Sequence, residues 1–142
     1  MNDETNVIYA GFWKRFAAYI IDFFVLFIPS FIIGFTIGMT YGNILTTDEL
    51  EGLNNLVGIV ISWLYWAVME SSPKQATLGK MALGIKVTNL NGERISFARA
   101  SGRFFGKIVS SLLLLIGFIM IAITKKKQGL HDKMAGTLIV NQ

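Results

Sequence analysis

The sequence predicts an all-α membrane protein with two firm transmembrane helices, and three observations carry that expectation. Of 142 residues, 53% are hydrophobic and only 15% charged, against about 25% charged in a typical soluble domain. A soluble fold of this length could not hide so much apolar surface, because small domains bury the smallest fraction of theirs; the mean hydropathy is +0.54. The apolar residues also gather into runs, and the Lys and Arg residues gather beside those runs. Cysteine is absent, which excludes a disulfide-stapled secreted scaffold and thiolate chemistry. The net charge of +4 lies next to apolar segments, so it reads as contact with anionic lipid headgroups and not with nucleic acid.

The first span is expected at 16–41, a run of 26 residues whose single charge is Asp22. That exceeds the ~20 apolar residues a helix needs to cross the hydrocarbon. A cleavable leader is not expected: the start is acidic (Asp3, Glu4), the run is too long, and no small-residue cleavage site follows. Tyr9, Phe12 and Trp13 read as interfacial anchors, and Pro29 as a site for a kink. A polar loop, 42–52, leads to the second span at 53–69, whose far end carries Trp63, Tyr65 and Trp66.

The insertion at 73–107 is polar and basic. Ile85 to Asn89 and Arg94 to Phe97 alternate around Asn91-Gly92, which predicts a β-hairpin. From Phe97 to Lys107 the spacing is helical, with Arg99, Arg103 and Lys107 on one face. That predicts an interfacial helix with its cations among the headgroups. A third apolar run, 108–124, contains Gly117, and a closing segment spans 128–140. With no repeat or linker, residues 1–142 read as one domain.

The first loop holds no Lys or Arg, whereas 70–107 holds seven. The positive-inside rule therefore places the N-terminus and the insertion in the cytoplasm, in a multi-pass protein of the cell membrane. A third full crossing would carry Lys125, Lys126, Lys127 and Lys133 outside. The third run is thus either a span that overrides the rule or a re-entrant helical hairpin broken at Gly117.

Arg15 and Asp22 are the sharpest chemical signal. Seven helical steps bring them to within about 20° of one stripe, ~10.5 Å apart in height, with Tyr19 between. An ionised carboxylate inside a span costs at least ~2.5–3.5 kcal/mol, so Asp22 needs a partner or a function. His131-Asp132 places the chain's one His beside a carboxylate. Ser30, Gly34, Gly38 and Gly42, and again Ala98, Gly102, Gly106 and Ser110, form small-residue seams that invite close helix partners. No metal-ligand cluster or cofactor motif is present, and Gly79-Lys80 lacks the upstream glycine of a phosphate loop. No enzymatic activity, metal or cofactor is expected.

Three stretches in order resemble the RDD family of small bacterial membrane proteins: Gly11 to Asp22, Thr77 to Val87, and Gln128 to Thr137. The likeness runs from about Tyr9 to Val140. It implies that the family's Arg is Arg15 and its two Asp are Asp22 and Asp132; the residues themselves add Tyr19, between Arg15 and Asp22, and His131, beside Asp132, as supporting candidates. It also implies either cation/proton exchange or partnership with another membrane protein. In the first case Asp22 titrates and Arg15 sets its pKa, with Asp132 a second carboxylate or the partner of Arg15; so few helices would then act as a homo-oligomer. In the second the ionic residues are a lock, and the glycine seams hold the partner.

Overall fold

The computed structural model describes residues 7–113 and 116–142. Asp3 and Glu4, on which the reading against a leader partly rests, lie outside the described residues.

Two long helices and a small mixed head make up the described residues. Helix α1 runs Phe12–Tyr41 and α2 runs Thr47–Ser71. Both are long and apolar enough to cross a membrane. Helix α1 starts four residues before the apolar run because Phe12 to Arg15 form its first turn, and Pro29 lies inside it without ending it. Helix α2 starts earlier than the apolar run because Thr46 and Glu49 cap each other: Glu49 Oε2 accepts the Thr46 N–H at 2.8 Å, and Thr46 Oγ1 accepts the Glu49 N–H at 3.4 Å. The outward face of α1 carries Phe23, Phe27, Phe31 and Phe35 as a ladder of rings with centroids 6.0–6.5 Å apart. All four are exposed, which suits lipid and not water.

The head collects on the end of the pair where α1 starts and α2 ends. It contains α3 (Leu78–Ala82), β1 (Ile85–Asn89), α4 (Phe97–Leu112), α5 (Ile116–Ile123), α6 (Leu130–Ala135) and β2 (Thr137–Asn141). The predicted hairpin is half right. The turn exists: Asn89 Oδ1 accepts the Asn91 and Glu93 N–H groups, and Gly92 takes the left-handed conformation at φ +82°. The returning arm is not a strand, because Ser96 caps α4. Instead β1 pairs antiparallel with β2, from Ile85 opposite Asn141 to Asn89 opposite Thr137. The apolar triplet Leu138-Ile139-Val140 in β2 is buried, and the N-terminal segment lies along its other edge through Ala10 N–H to Ile139 O at 2.9 Å. Ile85, Val87, Ile95 and Ile139 form a small core with Ala18, Ala67 and Ala100.

The helix expected from Phe97 forms, but its cations do not all lie outward. Arg99 is exposed as expected, but Arg103 is fully buried and Lys107 is only 20% exposed. Phe97 and Phe105 take the outward positions. The seam on α4 moves with that rotation: Gly102 has open space beside it, whereas Gly106 packs on His131 and Ser110 packs on Gly117. On α1, Gly34 meets Asn54 and Gly38 meets nothing within 4 Å.

The third apolar run takes the hairpin alternative. Helix α4 ends at Leu112 and α5 begins at Ile116, so the break precedes Gly117. Gly117 is instead the point where the two legs touch, since a Cβ there would lie 2.7 Å from Ser110 Cβ. The eight residues of α5 reach only about 12 Å at 1.5 Å each. Lys127 consequently returns to the start of α1, with its Nζ 3.8 Å from a Cβ built on Gly11, and Lys14 Nζ donates to Asn141 Oδ1 at 2.9 Å. The cations of both chain ends therefore share one end of the molecule.

Gly79 shows how tightly α3 is pressed against α1. A Cβ there would lie 2.1 Å from Ala18 O and 2.9 Å from Asp22 Cγ. Gly79→Ala is therefore expected to destabilise the fold by about 3 kcal/mol or more, read as a lowered thermal midpoint in detergent; an unchanged midpoint would contradict this packing.

Candidate functional site

Two polar centres sit where the head meets the long helices. The first surrounds Asp22, which α1 presents inward and buries to 1% exposure. Its Oδ1 accepts from Tyr65 Oη at 2.7 Å and from the Gly79 N–H at 2.8 Å, and its Oδ2 accepts from Thr77 Oγ1 at 2.6 Å. Thr77 caps α3, so the Gly79 N–H points out of the first turn of that helix. Asp22 thereby fastens α1 to α2 and α3 with neutral donors.

The second centre is a buried ionic cluster. Arg103 lies between two carboxylates, with Nη2 3.1 Å from Asp132 Oδ1 and Nε 3.5 Å from Glu70 Oε2. Arg15 Nη1 donates to Asp132 Oδ2 at 2.6 Å, and Arg15 Nε donates to Ala10 O at 3.0 Å. Lys80 is ion-paired with Glu70, and Lys107 Nζ stands 3.9 Å from Glu70 Oε1. Asp132 also caps α6 by accepting the Gly129 N–H at 3.0 Å, and His131 Nε2 lies 3.5 Å from Asp132 Oδ1. The cluster joins α1, α2, α3, α4 and α6.

Burial alone would raise the Asp132 carboxyl, but Arg103 and Arg15 outweigh it and hold the group well below the ordinary carboxylate range. Burial drives His131 down to about 3, so its imidazole is neutral near pH 7. Burial also lowers Lys80 against the pull of Glu70, and brings Lys107 down to about 7, with Glu70 opposing. Lys107 stands over the Trp66 ring, 5.0 Å from its centroid. Both centres border an open cleft of about 720 Å³ between α1, α2 and α4.

The model of the RDD family matches residues 9–136. The chain belongs to the RDD family. Relatives in Bacillus subtilis (strain 168) include uncharacterized protein YxaI, 43% identical over 92% of this chain and 96% of that protein. Uncharacterized membrane protein YteJ is 28% identical over 94% of this chain and 82% of its own length. Uncharacterized protein YckC is 27% identical, covering 92% and 83%. No solved structure matches. This RDD protein is a membrane protein and contacts lipid.

The structure brings Arg15 and Asp132 of this RDD protein together and leaves Asp22 apart, although Arg15 and Asp22 share a stripe of α1. Tyr19 does not bridge them: it faces outward, 53% exposed, and stacks on Trp66 at 5.9 Å. His131 lies against Asp132 and under Gly106. Sequence reasoning missed Glu70, Lys80, Arg103 and Tyr65. The signal for Arg103 was present: cations four apart on one helix face repel unless acids neutralise them. Glu70 closing an apolar run was the available acid.

Glu70→Gln removes a carboxylate shared by Lys80 and Arg103, leaving cations buried without it, at a cost of about 3–5 kcal/mol. A chemical-denaturation series in detergent should show that loss, and a variant as stable as wild type would rule out the cluster as drawn. The Lys107 shift carries a sign. Between pH 7 and its ordinary value the unfolded state binds the proton and the folded state does not, so stability rises with pH over that window. Thermal midpoints in non-ionic detergent should climb from pH 7 to 10 in wild type and climb less in Lys107→Met; parallel profiles would refute the assignment.

Proposed function

We propose that this RDD protein is a non-catalytic membrane adaptor, in which the ionic residues lock the head onto two spans and the exposed helix faces bind another membrane protein. One observation carries the reading: the carboxylate oxygens of Asp22, Glu70 and Asp132 are already engaged by donors or cations within the chain. An arriving cation finds these three carboxylates occupied, and it meets Arg15, Lys80, Arg103 and Lys107. The open face beside Gly38 and the phenylalanine ladder of α1 are the surfaces such a partner would cover.

The orientation belongs to the same proposal. The acidic start of α2, with Asp48, Glu49 and Glu51, faces outward, and the head lies in the cytoplasm, on the bacterial plasma membrane. The second reading is cation/proton exchange by a homo-oligomer. What favours it is Lys107, a group that titrates near neutral pH beside an open cleft.

Asp22→Asn separates the two. An amide nitrogen in place of one carboxylate oxygen faces donors, so an adaptor loses thermal stability on this change. The wild-type protein in proteoliposomes then shows no sodium- or potassium-driven proton movement by an entrapped pH dye. Cation-driven proton flux in wild type, abolished by Asp22→Asn at an unchanged thermal midpoint, would establish exchange and end the adaptor reading. A photoreactive residue in place of Phe31 should crosslink in cells to one discrete membrane protein, and a smear of products would count against a partner there.

A further inference from the structure

The ionic cluster and the cleft beside it differ from each other in what they lack. Four cations, Arg15, Lys80, Arg103 and Lys107, stand against three carboxylates: Glu70 and Asp132 in the cluster, and Asp22, whose charge also reaches Lys80 although its hydrogen-bond donors are Tyr65, Thr77 and Gly79. Anionic charge is therefore short. Donors are left over as well: among the described residues, Arg15 Nη2 and Arg103 Nη1 have no hydrogen-bond partner, and both arginines are at least nine-tenths buried and line the cleft. Lys107 is the most exposed of the four cations, and among the described residues its amine has the 3.9 Å pair with Glu70 and the Trp66 ring.

Away from the cluster the cleft changes character. It continues between α1 and α2 past Ile59 and Gly58 to Asn54, with Phe16, Phe104 and Ile108 along its walls. From Trp66 to Asn54 is twelve residues, a rise of about 18 Å, close to one leaflet's share of the ~30 Å hydrocarbon. Gly58 leaves that part open, with nothing within 4 Å of where its Cβ would stand. A cationic mouth at the level of the tryptophans, leading into an apolar channel one leaflet deep, has the chemistry of one class of ligand.

We propose that this cleft is a binding site for a single anionic phospholipid, whose phosphate is held by Lys107 backed by Arg15 and Arg103, and whose acyl chain lies along α2 past Gly58. The inference does not depend on the adaptor reading, since a lipid could occupy the cleft of an adaptor or of an exchanger. The bound phosphate supplies the anion that the cluster lacks. A zwitterionic lipid brings its own cation to the same mouth and is disfavoured there.

Trp66 reports on the site, because it lines the cleft beside Lys107. The full-length protein is placed in phosphatidylcholine vesicles containing a small fraction of phosphatidylglycerol with brominated acyl chains, which quench nearby tryptophan. The comparison uses the same fraction of brominated phosphatidylcholine in otherwise identical vesicles. Half-quenching should need about fivefold less of the anionic lipid, the effect of roughly one favourable cation near a membrane surface. Trp66→Phe should abolish that preference. Lys107→Gln should lower it by removing the headgroup contact, and Gly58→Phe should lower it by filling the channel without touching a charge. Equal quenching by the two lipids in wild type overturns the proposal. So does a preference that survives both Lys107→Gln and Gly58→Phe in proteins of unchanged thermal midpoint. Loss of the preference on adding millimolar inorganic phosphate also overturns it, since the occupant would then be a soluble phosphate and not a lipid.

Discussion

A guanidinium with no exposure to solvent organises this molecule. Taking an unpaired charge from water costs several kcal/mol even after relaxation. The burial of Arg103 is tolerable only because Glu70 and Asp132 stand on either side. Those three residues come from α4, α2 and α6, and Asp132 brings in Arg15 from α1. No subset of these helices satisfies the charges. An intermediate with α1 and α2 in place but α6 undocked would bury Arg103 against one acid and leave Arg15 without any. The head is expected to form as a unit, and the short α3, α5 and α6 owe their persistence to it more than to their own propensity, since helices of five to eight residues are marginal alone.

The position of the cluster follows from helix length. Helix α1 has 30 residues, about 45 Å at 1.5 Å each, which exceeds the hydrocarbon thickness. Its first turns, as far as Asp22, pack against the head. The nineteen residues from Phe23 to Tyr41 then give about 28 Å of apolar helix, close to a bilayer core. On α2 the acid Glu70 and the rings of Trp63, Tyr65 and Trp66 fall at the same end as the head. The ionic groups therefore gather where the two long helices meet the head, and not midway along the apolar stretch of α1. The cost of keeping them ionised is lower there, because the head supplies protein dipoles where lipid supplies none.

How much of this was legible depends on whether a signal was local. The two long helices were legible because apolar runs of 17 and 26 residues have few other uses, and the ends were missed only where Phe12 to Arg15 and the Thr46–Glu49 cap extend the helices beyond those runs. The turn at Asn89–Glu93 was legible from Asn91-Gly92, but its partner strand was not: alternation identifies a strand without naming what it pairs with, and β2 lies some fifty residues downstream. The family motif supplied Arg15 and Asp132, and their pairing was one of two roles open to Asp132. Glu70 with Arg103 had no motif, and the reading of Arg99, Arg103 and Lys107 as one solvated face hid it. Helical spacing groups residues by angle; it does not say whether that angle faces water or an acid on another helix.

The ionic lock also explains why Asp22 is wired differently from Asp132. Asp132 receives full positive charges, whereas Asp22 receives two hydroxyls and one backbone N–H. Neutral donors fix direction, though more weakly than charge-assisted ones, and they add no long-range field. Had Asp22 been paired with Arg15, Asp132 would have lost one of its cations, and α6 would have lost its tie to α1. Splitting the two carboxylates between hydroxyl donors and guanidinium donors lets one stretch of α1 hold α3 on one side and α6 on the other. The Arg and Asp seven residues apart are thus two separate fasteners on one helix, and their common stripe records which face of α1 meets the head.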